Sequence, residues 1–217
     1  MSLFYGDTTQ SLNNRDSFLL SLGLDYRDLV CAKQIHSGGV KYVKEDDRGR
    51  GALNYDACVP DTDAFITDKK NLPLAIFTAD CLSIFLFDPK TPAIGLVHAG
   101  WQSTRERIVA NTLQLMKKEF GCHTEDIYIG FGPAIRSCCY EVGGEFKDIF
   151  SDEIIQKNNK YYLDLAKANK KQFLDSGARH DNIFDPQICT FCGKEEFFSF
   201  RRQGKGCGRS MSVIMLK

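Results

Sequence analysis

Leu74-Ala75-Ile76-Phe77-Thr78-Ala79-Asp80-Cys81, then Ile84-Phe85-Leu86-Phe87, then Ala93-Ile94-Gly95-Leu96-Val97-His98-Ala99-Gly100-Trp101, then Ser103-Thr104-Arg105-Glu106 fill most of residues 72–106. Short apolar runs bounded by turn residues read as buried strands. The stretch is therefore strand, sharp stop, strand, turn, strand, reactive corner, helix. A cysteine and a histidine stand where these strands finish or restart, so neighbouring strands can deliver Cys81 and His98 to one point.

Working outward towards the N-terminus, residues 61–67 read as a strand entered through the acids Asp61 and Asp63. Residues 29–33 form another strand candidate, leading into Gln34-Ile35-His36-Ser37-Gly38-Gly39-Val40 and placing His36 at a strand end. Residues 14–22 read as a short helix stopped by Gly23, and the charged stretch 44–51 as a mobile surface loop. Towards the C-terminus, Ser103 and Glu106 fit a capping box as N-cap and N3. Ile108, Val109, Thr112, Leu115, Met116 and Phe120 recur at helical spacing up to the stop at Gly121. The start of this helix lies close to His98, so free N–H groups and the positive dipole end are expected near that histidine. Residues 127–131 read as a strand, Val142, Phe146, Ile149 and Phe150 as a helix, and 161–163 as a strand. Residues 164–176 read as a helix capped by Asp164 and stopped by Gly177. Residues 183–184, 197–200 and 213–216 complete the strands. This order predicts an α/β (α+β) layered sandwich on a mixed β-sheet.

The 217 residues are 43% hydrophobic, enough for one sizeable core, so a single domain over 1–217 is expected. The formal charge is zero, which gives no electrostatic reason for nucleic acid or an anionic membrane as partner. No apolar run approaches the roughly 20 residues that span a bilayer, and no secretory leader is evident, so a soluble cytoplasmic protein is expected. Nine cysteines are an odd number in a chain too long to need a disulfide scaffold, and reduced thiols follow. The histidines are only His36, His98, His123 and His180.

His36, Cys81 and His98 each end a predicted strand beside a small or tight-turn residue. Two imidazoles and a thiolate suit a three-ligand Zn²⁺ site with an open fourth position, and a buried cysteine with two hydrogen-bonded histidines is the alternative. Cys189-x-x-Cys192 is half of a structural zinc or redox signature, whose second pair is missing unless Cys138-Cys139 or Cys207 supplies it. Arg201-Arg202, with Arg209 beyond Gly204, can clamp an anion such as phosphate or form a solvated basic turn.

Gln34-Ile35-His36-Ser37, Thr78-Ala79-Asp80-Cys81, Val97-His98-Ala99-Gly100-Trp101, Cys139-Tyr140-Glu141-Val142 and Phe197-Phe198-Ser199-Phe200-Arg201-Arg202 occur in one order. The chain thereby resembles the YfiH, or laccase-domain, family, once described as multicopper polyphenol oxidases and now as purine nucleoside phosphorylases with adenosine deaminase activity. The resemblance implies a YfiH-like fold, zinc on His36, Cys81 and His98, and a nucleoside plus phosphate as substrates. The family usually carries Arg-Gly where Gln102-Ser103 stands here. Its N-terminal His-Gly-Gly and Ser motif is expected to be shortened or absent ahead of Phe4-Tyr5-Gly6-Asp7.

On that reading zinc activates water for attack on adenine C6, and phosphorolysis of adenosine, inosine or methylthioadenosine requires an anion site and an acid for the purine. Arg15, Gln34, Ser103, Arg201 and Arg202 are the candidates for substrate and phosphate, and Cys81, Asp80 and Asp63 for the chemistry. One alternative is copper-dependent phenol oxidation, for which four histidines and no His-x-His pair are too few to build a trinuclear site, although copper can occupy the same three ligands. The other is a metal-free cysteine hydrolase or amidase with Cys81 as nucleophile and His98 as base. A monomer or homodimer is expected.

Overall fold

A computed structural model describes residues 1–4 and 7–217; Tyr5 and Gly6 lie outside the described residues. In chain order the elements are α1 (Thr8–Ser21), β1 (Val30–Cys31), β2 (Val40–Tyr42), β3 (Ala64–Thr67), β4 (Leu74–Thr78), β5 (Leu82–Asp88), β6 (Ala93–Ala99), α2 (Trp101–Arg105), α3 (Ile108–Phe120), β7 (Tyr128–Phe131), β8 (Glu141–Val142), β9 (Ile154–Lys157), β10 (Lys160–Leu163), α4 (Leu165–Asp175), β11 (Ile183–Phe184), α5 (Phe200–Gln203) and β12 (Ser210–Ile214). A six-stranded sheet has the order β11-β7-β5-β6-β3-β2, a three-stranded sheet the order β1-β4-β12, and a small one the order β8-β10-β9. Parallel pairs (β2 with β3, β7 with β11, β1 with β4) mix with antiparallel ones, so the mixed sandwich expected from the sequence is the fold observed.

Period-two alternation sorts the side chains into layers. From β5 and β6, Leu82, Ile84, Leu86, Val97 and Ala99 pack in one cluster with Ile108, Val109, Leu113 and Met116 of α3 and Phe173 of α4. The intervening Ile94 and Leu96 join Leu74 and Ile76 of β4 in a second cluster between the two larger sheets. Ala75 and Phe77, the alternate residues of β4, face Leu19 of α1 in a third. The layers therefore run helix, sheet, sheet, helix. Covered on both faces, β4 is buried at every position, as a central strand should be. Among the described residues no helix is long and apolar enough to cross a membrane.

Several elements differ from their sequence reading. The helix expected from Ser103 begins at Trp101 with Gly100 as N-cap, so Ser103 occupies the third helical position and its Oγ accepts from the Gly100 N–H at 2.9 Å. Helix α2 ends at Arg105 with Glu106 as its C-cap, and Arg107 adopts a left-handed conformation (φ 59°) as the N-cap of α3. Glu106 turns away from the helix to accept from the Gly38 N–H at 2.7 Å. Val142, Phe146, Ile149 and Phe150 lie on β8 and in 3-10 turns rather than one helix, because two successive turns mimic helical spacing. Residues 197–200 are not a strand: Ser199 caps α5 by accepting from the Arg202 N–H. The first helix starts at Thr8, capped by Asp7. The charged stretch 44–51 is fastened by ion pairs from Arg48 to Glu45 and from Arg50 to Asp47.

Arg15, a candidate for anion binding, is 1% exposed. It donates to the carbonyls of Met1, Gly51 and Ala52 at 2.8, 3.0 and 2.5 Å while its guanidinium lies over the Phe77 ring. Arg15→Ala is expected to cost about 2–4 kcal/mol of stability in urea denaturation, since interior carbonyls lose their donor. A loss below about 0.5 kcal/mol would show that these carbonyls do not depend on it.

Candidate functional site

The β5–β6 hairpin sets the site. Its register pairs Leu82 with Ala99 and Ser83 with His98, and one further step sets Cys81 opposite Gly100. His98 shares its strand face with Ile94 and Leu96, so it points into the layer between the sheets, with Cys81 as its diagonal neighbour. Gly100 has a positional reason: a Cβ there would lie 3.0 Å from His36 Cδ2 and 3.2 Å from Cys81 Sγ.

His36 arrives from the loop between β1 and β2 in a left-handed backbone conformation, φ 62°, a strain of about 1–3 kcal/mol. Asp63 holds it there. Its buried carboxylate accepts from the successive N–H groups of Ile35, His36 and Ser37 at 3.2, 3.0 and 2.7 Å, from Ser37 Oγ at 3.0 Å, and from His98 Nδ1 at 2.8 Å. That last bond fixes the His98 ring and leaves its Nε2 facing Cys81. The donor atoms of His36, Cys81 and His98 all lie within 4.8 Å of one another; Cys81 Sγ is 3.8 Å from His36 Nε2, and the two imidazoles meet edge to face at 4.8 Å.

Charge is concentrated here. Burial raises the Cys81 thiol, but the neighbouring His98 charge and the hydrogen bond with His36 outweigh it and bring the thiol down to about 6. Burial lowers His98, and the Cys81 thiolate and Asp63 outweigh that to lift the imidazole to about 9. Two imidazoles and a thiolate, with a carboxylate fixing one imidazole from behind, make a donor set suited to one borderline-soft cation with an open fourth position. His123 is exposed and His180 sits against Lys170 elsewhere, so among the described residues the imidazoles that could share a metal are these two.

The triad opens into a cleft of about 740 Å³ lined in part by Gln34, Phe77, Trp101, Gln102, Tyr140 and Arg201, a size that suits a small ligand. Trp101, Tyr140 and Arg201 also border an adjoining cleft of about 670 Å³. The other sequence candidates divide by what their polar atoms do. Gln34 brackets β4, donating to the Phe77 carbonyl at 2.9 Å and accepting from the Phe77 N–H at 2.7 Å. Ser103 is fully buried and bonds back to His98 and Gly100 carbonyls. Arg202 donates to the carbonyls of Thr190, Phe191 and Phe197. Asp80, at φ 88°, accepts from Thr190 Oγ1, Ser199 Oγ and the Arg201 N–H at 2.7, 3.1 and 2.7 Å, so it fastens the C-terminal segment to the corner preceding Cys81. Arg201 borders the cleft with one nitrogen on the Glu141 carbonyl and its guanidinium 5.3 Å from the centre of the Tyr140 ring. Tyr140 carried no role in the sequence reading beyond its place in a motif. Burial, reinforced by the Cys81 thiolate, raises its phenol well above the usual range and keeps it protonated.

The chain is 33% identical over 224 residues to the purine nucleoside phosphorylase YlmD of Geobacillus stearothermophilus, covering 99% of this chain and 82% of the relative. It is 31% identical to adenosine deaminase RL5 from an unknown prokaryotic organism, over 97% of this chain and 84% of that one. The crystal structure of the Bacillus licheniformis hypothetical protein YfiH superposes with a TM-score of 0.92 at 33% identity, covering 97% of this chain and 82% of that chain. A family described as multi-copper polyphenol oxidoreductase laccase matches residues 1–217, and the chain belongs to this laccase-like YfiH family.

Proposed function

We propose that this chain, acting as one domain over residues 1–217, is a zinc-dependent purine nucleoside enzyme that phosphorolyses adenosine, inosine or methylthioadenosine and deaminates adenosine. The observation that carries the reading is the convergence of His36, Cys81 and His98 at the cleft, in a chain whose relatives are named for both reactions. Zinc on these three residues supplies Lewis-acid activation of water for the deamination.

The chain's own groups account for the rest. Asp63 orients His98 and curls the 35–37 loop so that His36 meets the other two donors. In phosphorolysis a phosphate oxygen bonds to ribose C1′ as the bond to the purine breaks, and its electron pair leaves with the base. Arg201 is the candidate for the phosphate, since Arg15, Arg202 and Ser103 use their polar atoms on the scaffold. Asp80 and Asp63 have both oxygens occupied by scaffold donors, so the departing purine takes its proton from water in the open cleft. Gln102 lines the same cleft and is the place to seek a difference in substrate preference.

Purified protein incubated with adenosine and phosphate is expected to release adenine and ribose 1-phosphate, and inosine without phosphate; release of neither base nor inosine would refute the reading. Gly100→Ala is expected to weaken zinc binding roughly tenfold in a competition titration, because the added methyl displaces His36 and Cys81 by a few tenths of an ångström; unchanged affinity would show that the cleft floor yields. A second reading, a metal-free hydrolase with Cys81 as nucleophile, has in its favour the lowered thiol beside a raised imidazole.

A further inference from the structure

The half-signature Cys189-x-x-Cys192 acquires its missing pair in three dimensions. Cys138, Cys139, Cys189 and Cys192 form a group whose sulfurs all lie within 4.8 Å of one another, with Cys192 Sγ 3.9 Å from Cys138 Sγ and 3.4 Å from Cys139 Sγ. A zinc ion bound about 2.3 Å from four sulfurs sets them about 3.8 Å apart. Cys207, the other possible contributor, instead bonds to Gln203 and the Gly208 carbonyl.

Backbone geometry holds the two segments side by side without help from the sulfurs. Ala134 and Cys189 form a parallel bridge, with the Thr190 N–H on the Ala134 carbonyl at 3.0 Å. Arg136 clamps Asp185 through two nitrogens at 2.9 and 2.7 Å. A turn closed by the Cys139 N–H on the Arg136 carbonyl brings the adjacent cysteines to one side, and the Gly193 N–H closes the C-x-x-C loop on the Cys189 carbonyl. The four sulfurs are thus preorganised rather than scattered, which is what a structural metal site needs.

We propose that these four cysteines bind a zinc ion as a second, four-thiolate centre, separate from the His36, Cys81 and His98 site and structural in role. Binding exchanges four thiol protons for one Zn²⁺, with no change of oxidation state. A closed set of four sulfurs leaves no position for substrate. Its effect passes to the cleft through the segments it joins. Tyr140 follows Cys139, the Ile135 N–H donates to the Asp80 carbonyl, and Thr190 Oγ1 donates to the Asp80 carboxylate. Zinc here fastens both walls that hold the corner before Cys81.

The test uses the full chain carrying Cys81→Ala, which removes the thiolate of the other site, purified with reductant and without chelator. One zinc per chain with a four-sulfur shell in X-ray absorption is expected, and cobalt substitution should give the intense visible bands of tetrahedral thiolate coordination. Cys189→Ser/Cys192→Ser in the same background should lose that zinc. If this double variant does not fold, the sulfur shell of the Cys81→Ala protein decides alone. The proposal is overturned if the Cys81→Ala protein holds no zinc, if its zinc has nitrogen or oxygen neighbours, or if mass spectrometry of the alkylated, reductant-purified chain finds Cys192 disulfide-bonded to Cys139 or Cys138.

Discussion

Cys81→Ala is expected to abolish both reactions on adenosine and to release the metal from the His36 and His98 site, while leaving the fold intact. The thiol lies within reach of both imidazoles, and its charge is what the His98 position is built to accept. Without it two imidazoles remain, short of the three protein ligands typical of catalytic zinc sites. The fold should survive because Cys81 stands on the corner between β4 and β5, outside the three apolar clusters. A stability change within about 1 kcal/mol, a typical value for point variants, is expected by chemical denaturation. Product formation at the wild-type rate in a folded Cys81→Ala protein would remove the thiol from the mechanism.

Asp63→Asn is expected to damage both fold and site, although it changes the side chain by one atom. The carboxylate accepts five hydrogen bonds, four from the 35–37 loop and one from His98. An asparagine offers a single acceptor oxygen, and its amide N–H groups would face other donors. The left-handed conformation of His36 then loses what holds it. Removing one partner of a buried, hydrogen-bonded charge costs about 3–5 kcal/mol, and loss of a partner behind a ligating histidine weakens metal binding about 10–100-fold. Urea denaturation and zinc competition read these separately. Unchanged values in both would show that Asp63 is not the strut between His36 and His98.

The parts of the molecule legible in the sequence are those whose signals are local. The runs around residues 74–78, 82–88 and 93–99 alternate between two faces, and Asp164 caps α4 as expected. His36, Cys81 and His98 stand out as reactive side chains beside predicted strand ends, although spacing alone leaves a buried cysteine with two hydrogen-bonded histidines as the alternative. His36 lies in the loop beyond β1 rather than at its end. Of the β9–β10 hairpin the sequence shows only the second strand, at 161–163; β9, Ile154–Lys157, is too polar and exposed to read as a strand, although Asn158-Asn159 supplies the two left-handed residues, φ 50° and 59°, that a tight hairpin turn requires. Asp63 and Asp80 were read as acids because carboxylates near a site suggest proton transfer. Their role as acceptors for loops that are distant in sequence, with Thr190 bonding Asp80 across the fold, exists only in three dimensions. The four-cysteine group is legible only as a half-signature with Cys138-Cys139 or Cys207 as its possible second pair; the Ala134 to Cys189 bridge that aligns Cys138-Cys139 with it leaves no trace in residue spacing.

Chelation followed by reconstitution separates the zinc enzyme from the cysteine hydrolase most directly. Protein stripped of metal and assayed with adenosine should be inactive with or without phosphate, and added zinc should restore inosine and adenine formation. Activity that survives complete metal removal but disappears on alkylation of Cys81 would contradict a metal-dependent mechanism and assign the chemistry to the thiol itself.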